Sequence, residues 1–588
     1  MAIVDMMRLL PAFLLAVATL PAAAQPSRVF VDGRFDDWQG IPPAYTDDSG
    51  DAPAGQVDLG RFWVTHDEHS LLLRFELGME LLIQDGNELL LYLDTDDDPA
   101  TGEQVLGLGA ELVWRFGGRT GTYTLYGQTG EIGHFPIGIV TGPTTSSTEF
   151  EVAIRRDARP DGSNLLFQGS TVRLALADLG GFDFLPGTGE AIRHTFDQGP
   201  LAPLEPIALA RDQVDDVRIV SWNVLNSGLF DSGRSDRFRR ILQFLDPDII
   251  GFQEVRSESA EAVRAFVAAA LPGRPWYASR IEPDIVTVSG YPITGSYRIA
   301  GGASGDANGA FAIDMSSVWG EEMLLLNAHP PCCRNDTNRQ LDFDAMMAFI
   351  RDARAGGTPP IQPETPLVVL GDMNMVGFRR QLRTLLEGAI VNTAFHGAPA
   401  APDGDGSALA DLFPRVTHLP MHYTWYSPNS SFHPGRLDFI VFGDAVLRAQ
   451  NRFVFFTPAM PAEALSALGL ESEDTTLASD HLPVVGDFRY AGLGETSAEP
   501  EVSPGGFRIL GLFPNPASDR ARLRLEMDQA REIEVTVVDL LGRTSVVARP
   551  GLLAAGAHEL ALTLTPLPSG IYFLRVGTEP IARLVIAR

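Results

Sequence analysis

The chain has 588 residues, too many for a single hydrophobic core, and we expect three domains. Its formal net charge is −30, and all 45 basic residues are arginines. Most of the acidity lies between residues 28 and 216. An acidic surface repels nucleic acid at long range, which argues against a high-affinity, sequence-specific DNA-binding protein. A nuclease that uses a metal ion and a few local arginines is not excluded.

The N-terminus has the pattern of a secretory signal peptide. Arg8 is followed by the apolar stretch 9–20 and by Ala22-Ala23-Ala24, which predicts a signal peptide at residues 1–24. The apolar stretch is too short to span a membrane, and no later run approaches the necessary length. We therefore expect a secreted or cell-surface protein without a transmembrane segment.

Residues 28–200 predict an all-β module. Short apolar runs such as Leu71–Phe75, Leu89–Leu93 and Val172–Leu176 are separated by Gly, Asp and Pro turns, a pattern typical of a β-sandwich. The acidic segment Asp94–Asp98 offers hard oxygen ligands for Ca²⁺, and a solvated β-turn is the alternative.

Three sequence segments of this module resemble the carbohydrate-binding-module family 9-like, or DOMON-type, sandwiches. They are Val31-Asp32-Gly33 with Asp37-Trp38, Trp63–Asp67, and Leu93–Gly102. The resemblance implies a glycan as a candidate ligand. The tryptophans that would stack on a sugar are Trp38, Trp63 and Trp114, and core positions for them are the alternative.

Between residues 217 and 490, six mostly apolar runs carry a metal-binding or proton-transfer side chain at or near one end. One run, Leu367–Leu370, leads through Gly371 to Asp372 and Asn374, whose spacing places both side chains on one side of an extended chain. Strand ends are where a scaffold displays catalytic groups. The other runs lead to or contain Asn223, Glu254, His329, Asp438, and Asp480 with His481. Helical spacing is found over residues 236–245, 258–271 and 338–353.

All six motifs occur in the order of the endonuclease/exonuclease/phosphatase family, and the region 217–490 resembles these metal-dependent phosphodiesterases. The resemblance implies a four-layer α/β/β/α sandwich with two β-sheets face to face and helices outside. It also implies one divalent ion, Mg²⁺ or Mn²⁺, bound by Asn223, Glu254 and Asp480.

The same resemblance implies the catalytic roles. Asp372 and Asn374 orient the attacking water and contact the phosphoryl group. His481, held in one tautomer by Asp438, contacts the phosphate or shares the proton transfer, and His329 serves as general acid.

One motif departs from the family pattern. The family usually has Ser-Arg-Tyr-Pro where this chain has Ser289-Gly290-Tyr291-Pro292, so one phosphate-binding arginine is missing. Tyr291 remains a substrate-binding candidate, and Arg339 or Arg436 is expected to replace the arginine.

Two further features of this region leave alternatives open. Trp425 lies in an aromatic loop with His422, Tyr423, Tyr426 and His433 that either stacks on a base or sugar or anchors the loop. Cys332 and Cys333 form either an adjacent-residue disulfide or two reduced thiols.

Residues 491–506 predict a linker, and residues 507–588 a small C-terminal β-sandwich. The sequence segments at 513–516, 537–543 and 567–574 resemble the C-terminal sorting domain of type IX secretion substrates. The resemblance implies contact with the secretion machinery, and an immunoglobulin-like cap is the alternative.

The sequence thus predicts an α+β multidomain protein whose catalytic region is flanked by two β-sandwiches. The expected function is a secreted divalent-metal-dependent phosphodiesterase acting on nucleic acid, an extracellular nuclease. A phosphatase or sphingomyelinase-type phospholipid hydrolase is one alternative, although no apolar hairpin for membrane insertion is evident. A non-catalytic, glycan-binding surface protein is the other.

Overall fold

The computed structural model describes most of the chain between residues 28 and 586. The exceptions are residues 188, 197–198, 200, 202, 304–306, 493–501, 504–506, 514–516, 518, 528–529, 540–542, 555, 569 and 577–578. The predicted signal peptide and most of the predicted linker lie outside the described residues. Among the described helices, none combines the length and the hydropathy needed to cross a bilayer.

The N-terminal region, residues 28–196, forms two large antiparallel sheets with one shared core and a separate two-stranded sheet. Its elements are β1 Tyr45–Thr46, β2 Arg61–His66, β3 Ser70–Leu81, β4 Leu89–Asp94, β5 Glu103–Val105, β6 Leu108–Ala110, β7 Leu112–Arg115, β8 Thr120–Leu125, β9 Gln128–Ile132, α1 His134–Ile137, β10 Val140–Gly142, β11 Ser147–Arg155, β12 Thr171–Asp178, β13 Asp183–Leu185 and β14 Ile192–Thr195. The sheets have the orders β1-β2-β3-β11-β10 and β13-β12-β4-β7-β8-β9, with β14 beside β12. Apolar side chains of both sheets pack against one another between them, so this region is a β-sandwich.

The three tryptophans considered as sugar-stacking candidates are core residues. Trp38, Trp63 and Trp114 are at most 4% exposed. The Trp38 indole donates to Glu151 Oε2 at 3.1 Å. The structure therefore corrects the stacking hypothesis, because none of these rings has a face open to a ligand.

The acidic segment of the sandwich brings carboxylates together. Oxygen atoms of Asp94, Asp96 and Glu111 lie within 4.8 Å of one another. Burial raises the pKa of Glu111 to about 7, while hydrogen bonds from Thr95 and Thr101 lower it. Ca²⁺ binding at this segment stays a prediction.

The catalytic region contains two six-stranded sheets with the same internal plan. Its strands are β15 Val217–Asn223, β16 Ile249–Gln253, β17 Tyr277–Ile281, β18 Ile285–Ser289, β19 Ile293–Arg298, β20 Ala307–Asp314, β21 Glu322–His329, β22 Leu367–Asp372, β23 Ala410–Asp411, β24 Asp438–Phe442, β25 Leu447–Val454 and β26 Val484–Tyr490. The orders are β17-β18-β16-β15-β26-β25 and β19-β20-β21-β22-β24-β23. Each sheet has a central parallel pair, β15 with β16 and β21 with β22, next to an antiparallel strand, β26 or β24. The carboxyl ends of each pair and the amino end of its neighbour therefore meet at one edge.

The two sheets face each other, and helices cover their other faces. Ile219 and Ile249 of the first sheet pack with Leu325 and Leu370 of the second. Alternate residues of the same strands pack against helices, because successive side chains of a strand point to opposite faces. The helices are α2 Ser235–Leu245, α3 Ala260–Ala270, α4 Asp336–Arg354, α5 Arg379–Glu387, α6 Thr393–His396, α7 Ala462–Leu468 and α8 Asp474–Ala478. Helices α2, α3 and α4 match the helical segments predicted at 236–245, 258–271 and 338–353.

The sandwich and the catalytic region share an apolar core of their own. Val31 and Trp63 of the sandwich pack in one cluster with Met421, Tyr423 and Phe456 of the catalytic region. The Val31 backbone also pairs with this loop, since its N–H donates to the Pro420 carbonyl at 2.9 Å. A buried apolar interface of this kind holds two domains in a fixed relation. Tyr423 of the aromatic loop thus serves as an anchor.

The C-terminal region forms two four-stranded sheets. Its strands are β27 Val502–Ser503, β28 Phe507–Phe513, β29 Arg520–Met527, β30 Arg531–Asp539, β31 Thr544–Leu553, β32 Gly556–Thr563, β33 Gly570–Val576 and β34 Glu579–Ile586. The orders are β27-β28-β29-β32 and β31-β30-β33-β34. Leu523 and Leu562 of the first sheet share a buried cluster with Val535 and Leu574 of the second. Parts of the predicted sorting segments, at 514–516 and 540–542, lie outside the described residues.

A buried ion pair joins the two strands that lead to the catalytic edge of the first sheet. Arg218 of β15 donates from Nε and Nη2 to the two oxygens of Asp487 in β26, both at 2.7 Å.

We expect Arg218→Met to destabilise the catalytic region by about 3–5 kcal/mol, because it leaves a buried carboxylate without a partner. Urea unfolding measures the loss. Arg549→Met, at the exposed Arg549–Glu534 pair, is the control; equal losses in both variants would contradict this role.

Candidate active site

The predicted strand-end residues converge on one cleft at the shared edge of the two sheets. Glu254, His329, Asp372, Asn374 and His481 line the cleft. Two further side chains stand behind them and hold them in place, namely Asn223 and Asp438. These side chains meet because the strand ends that carry them lie at the same edge of the two sheets.

Asp372 occupies the centre of this group. Its Oδ2 accepts a hydrogen bond from Asn223 Nδ2 at 2.9 Å and lies 3.5 Å from Nε2 of both His329 and His481. The preceding Gly371 has φ +146°, and a Cβ there would lie 2.0 Å from the carbonyl oxygen of Ala328. Only glycine permits this approach, so Gly371 lets the strand end where Asp372 enters the cleft.

Each of the two histidines at the cleft is backed by a buried carboxylate. His481 Nδ1 lies 2.9 Å from Asp438 Oδ2, which also accepts from the Thr424 hydroxyl at 2.7 Å. His329 Nδ1 lies 3.1 Å from Asp284 Oδ2. In both pairs Nδ1 is engaged, so Nε2 is the atom presented to Asp372 and to a substrate. Each pair also joins the two sheets, since one partner comes from each.

The surrounding carboxylates favour the charged form of both imidazoles. Burial lowers the pKa of His329, but the hydrogen bond that the ring donates to Asp284 and the charge of Asp372 outweigh it and bring the pKa to about 9. For His481 burial again lowers the pKa, and the charges of Asp438 and Asp372 raise it to about 10. Both rings are therefore proton donors rather than acceptors at neutral pH.

Two of the predicted metal ligands, Glu254 and Asn223, are bonded to each other beside Asp372. Glu254 has φ +60°, an uncommon backbone conformation for a glutamate, and its carboxylate accepts from the Asn226 N–H at 2.9 Å and from Asn223 Nδ2 at 3.3 Å. Ser227 N–H donates to the Glu254 carbonyl at 2.8 Å, so the loop after β15 fixes this residue. A carboxylate such as that of Glu254 suits a small, hard divalent cation. Asn223 turns its amide nitrogen toward Asp372 and Glu254, and its Oδ1 accepts from the Leu225 N–H at 3.0 Å.

A second group of acidic residues at the site is already hydrogen-bonded to a histidine. Ligand-type atoms of Asp372, Asp438 and His481 lie within 4.8 Å of one another. His481 Nδ1 is, however, already hydrogen-bonded to Asp438. This group is therefore already joined by hydrogen bonds, and Glu254 stays the predicted metal ligand.

The family models agree with this geometry. Residues 220–481 match the Endonuclease/Exonuclease/phosphatase family. This region is an endonuclease/exonuclease/phosphatase domain. Residues 511–586 match the secretion system C-terminal sorting domain. The chain is accordingly a metal-dependent phosphoric ester hydrolase whose tail marks it for export to the cell surface or the extracellular space.

Three solved structures each match a little less than half of this chain. A humanized TDP2 from D. rerio is 16% identical, with a TM-score of 0.31, over 47% of this chain and 99% of that one. ANGEL2, a 2′,3′-cyclic phosphatase, is 13% identical, with a TM-score of 0.34, over 46% and 95%. NExo from Neisseria, a 3′ phosphatase bound to product DNA hairpin, is 17% identical, with a TM-score of 0.29, over 46% and 99%. No curated protein matches the chain.

Asp480 and Trp425 contact each other at the edge of the endonuclease/exonuclease/phosphatase domain's cleft. The Trp425 indole donates to Asp480 Oδ2 at 3.1 Å, and Trp425 lines the cleft. The other oxygen, Asp480 Oδ1, is buried and has no hydrogen-bond partner among the described residues. Asp480 is not among the described residues that line the cleft, and its role as a metal ligand stays a prediction.

Three substrate-binding candidates lie elsewhere in the domain and require correction. The Arg339 guanidinium is fully buried and bonded to Gln381, Asp336 and the Pro331 carbonyl, so it supports the loop after β21. None of the three is among the described residues that line the cleft. The other two candidates are Arg436 and Tyr291. Arg436 pairs with Asp411 and stacks on the Phe439 ring, and Tyr291 is half-buried against the apolar layer between the sheets.

Several cleft residues were not predicted. Asp284 directly precedes the apolar run of β18, the same strand-end signal that identified the others, and could have been found by it. Arg256 lies 3.5 Å from Glu254 Oε2 and lines the cleft, but an exposed arginine two residues after a motif carries no distinguishing signal. Cys332 and Cys333 are joined as a disulfide and also line it.

The Asp284–His329 pair makes a direct prediction. Asp284→Asn should lower kcat on the order of 10- to 100-fold, because a neutral amide no longer raises the pKa of His329 and so no longer keeps the ring protonated as a donor. Steady-state kinetics with an aryl phosphodiester measure the change. Asp314→Asn, at an exposed turn carboxylate, is the control and should retain full activity. Full activity of Asp284→Asn would show that His329 takes no part in proton transfer.

Proposed function

We propose that this protein is an exported phosphodiesterase that uses Mg²⁺ or Mn²⁺ in a four-layer catalytic domain and that cleaves nucleic acid. The observation that carries the proposal is Asp372, flanked by two carboxylate-backed histidines and linked through Asn223 to Glu254. A non-catalytic surface protein would have no use for this set of buried, mutually bonded groups.

Each residue has a role that its geometry supports. The metal ion, held by Glu254 and Asn223 with Asp480 as a further candidate, would neutralise charge on the phosphoryl oxygens. Asp372 accepts a proton from the attacking water, because it is the acceptor toward which both Nε2 atoms point.

The remaining groups complete the hydrolysis. Water oxygen bonds to phosphorus as the bond to one ester oxygen breaks. His329 donates a proton to that leaving oxygen, and His481 donates a hydrogen bond to a phosphoryl oxygen. Asn374 is fixed by its bond to the Pro330 carbonyl at 3.0 Å and orients the water.

The lining of the cleft favours nucleic acid over a lipid phosphate. Arg119, Arg256 and Arg334 place positive charge in the lining of the cleft, beside the carboxylates of Asp85 and Glu254. Phe432, 41% exposed, offers an aromatic face in the same cleft. Cationic side chains interleaved with an aromatic face suit a phosphate backbone and its bases. Trp425 adds a second ring.

A substrate panel tests the proposal. The purified protein is assayed with oligonucleotides, bis-aryl phosphate, an aryl phosphomonoester and sphingomyelin, each with and without chelator. We expect chelator-sensitive cleavage of the diesters, with oligonucleotides preferred. Glu254→Gln should reduce the rate about 10³-fold and weaken Mn²⁺ binding measured by calorimetry, because it removes a charged ligand. Glu261→Gln, on the exposed first turn of α3, should change neither.

Three results would contradict the proposal. Chelator-resistant cleavage would exclude the metal, and full activity of Glu254→Gln would exclude its proposed site. Exclusive hydrolysis of the monoester or of sphingomyelin would replace the nuclease with one of the alternative hydrolases.

A further inference from the structure

The catalytic cleft has one wall that the endonuclease/exonuclease/phosphatase domain does not supply. The cleft has a volume of about 850 Å³. Its lining includes residues 82–85, between β3 and β4, and Arg119, between β7 and β8, all from the N-terminal sandwich. We call these residues the sandwich wall. It encloses the same space as Glu254 and Asp372.

The sandwich wall is attached on both sides of the cleft. Asp85 accepts two hydrogen bonds from Arg334, at 2.7 and 2.5 Å, in the loop that follows β21. Gln84 Oε1 accepts from the backbone N–H of His433 at 2.8 Å, in the loop that precedes β24. Residues 82–85 therefore bridge the two loops on either side of the catalytic edge.

The sandwich wall also brings a cation to the aromatic face. The Arg119 guanidinium lies 4.1 Å from the centre of the Phe432 ring, and its Nε donates to the Ser431 hydroxyl at 3.3 Å. Phe432 itself keeps 41% of its surface exposed. This pairing offers a stacking surface for a base and a positive charge for the neighbouring phosphate.

We infer that the sandwich wall restricts the enzyme to free ends of single strands and to fragments of a few nucleotides, with Phe432 seating the base next to the scissile phosphate. The inference rests on the proposed nuclease function. An internal phosphodiester of a closed strand needs a groove open at both ends, and residues 82–85 block one end.

The volume of the cleft and the negative charge of the sandwich both favour a single strand over a duplex. A cleft of this volume falls in the range of about 300–1,000 Å³ that holds small ligands, far less than a duplex needs. Most of the acidity of the chain lies in the sandwich region, which stands beside the cleft and would repel a second strand.

The test compares DNA topologies of one sequence: a short linear single strand, the same strand covalently closed into a ring, and a supercoiled plasmid. We expect the wild type to cleave the linear strand at least about tenfold faster than the ring. Releasing the bridge with Asp85→Ala and Arg334→Ala together should raise ring cleavage relative to linear cleavage about fivefold. The control removes an exposed bidentate pair of the same sandwich, Arg61→Ala with Glu76→Ala, and should leave the ratio unchanged.

Phe432→Ala tests the stacking face separately. It should raise KM for the linear strand about tenfold while kcat falls much less, because a lost stacking contact weakens binding more than chemistry. Phe182→Ala removes a more exposed ring, 76% accessible, that is not among the described cleft residues and should change neither constant.

The outcomes separate the inference from the function on which it rests. Equal rates on the linear strand and the ring would overturn the inference and leave the nuclease standing. An unchanged ratio in the bridge variant, or an unchanged KM in Phe432→Ala, would also overturn it. Cleavage of bis-aryl phosphate without cleavage of any DNA would overturn the nuclease and the inference together.

Discussion

The active site depends on the face-to-face packing of the two catalytic sheets. Gln253 Nε2 of the first sheet donates to Asn327 Oδ1 of the second at 2.8 Å, and both side chains are fully buried. Such a buried pair fixes the register of the sheets, because any slip would leave polar groups unsatisfied away from water. Gly251 contributes by its size, since a Cβ there would lie 2.2 Å from Leu370 Cδ1 of the opposite sheet.

This packing explains why the histidines are paired as they are. His481 leads into the first sheet and is backed by Asp438 of the second, whereas His329 ends a strand of the second and is backed by Asp284 beside the first. Asp372 lies between them. A change that separates the sheets would therefore break both pairs at once. The N-terminal sandwich, held by its own apolar interface, adds a third surface to the same cleft.

The sequence predicted the residues whose place is set by local rules. Glu254, Asp372 and His481 stand at strand ends, and the direction of a strand carries such a side chain to the edge of its sheet. The helices α2, α3 and α4 followed from periodicity in the same way. Asp284 obeyed the same rule and was missed only because its strand was not among the motifs.

Long side chains and long-range contacts could not be predicted in this way. Arg339 and Arg436 have several rotatable bonds, and their partners, Asp336 and Asp411, determine where the guanidinium lies. The sandwich wall depends on Asp85 meeting a residue 249 positions away, which no local pattern encodes.

Anomalous diffraction from crystals soaked in Mn²⁺ tests the central claim most directly, because it locates the ion without reference to activity. The account predicts a peak within bonding distance, about 2.0–2.3 Å, of a Glu254 oxygen and in the cleft that Asp372 enters. A crystal in which Mn²⁺ occupies only the carboxylates of the N-terminal sandwich, with the catalytic edge empty, would contradict it.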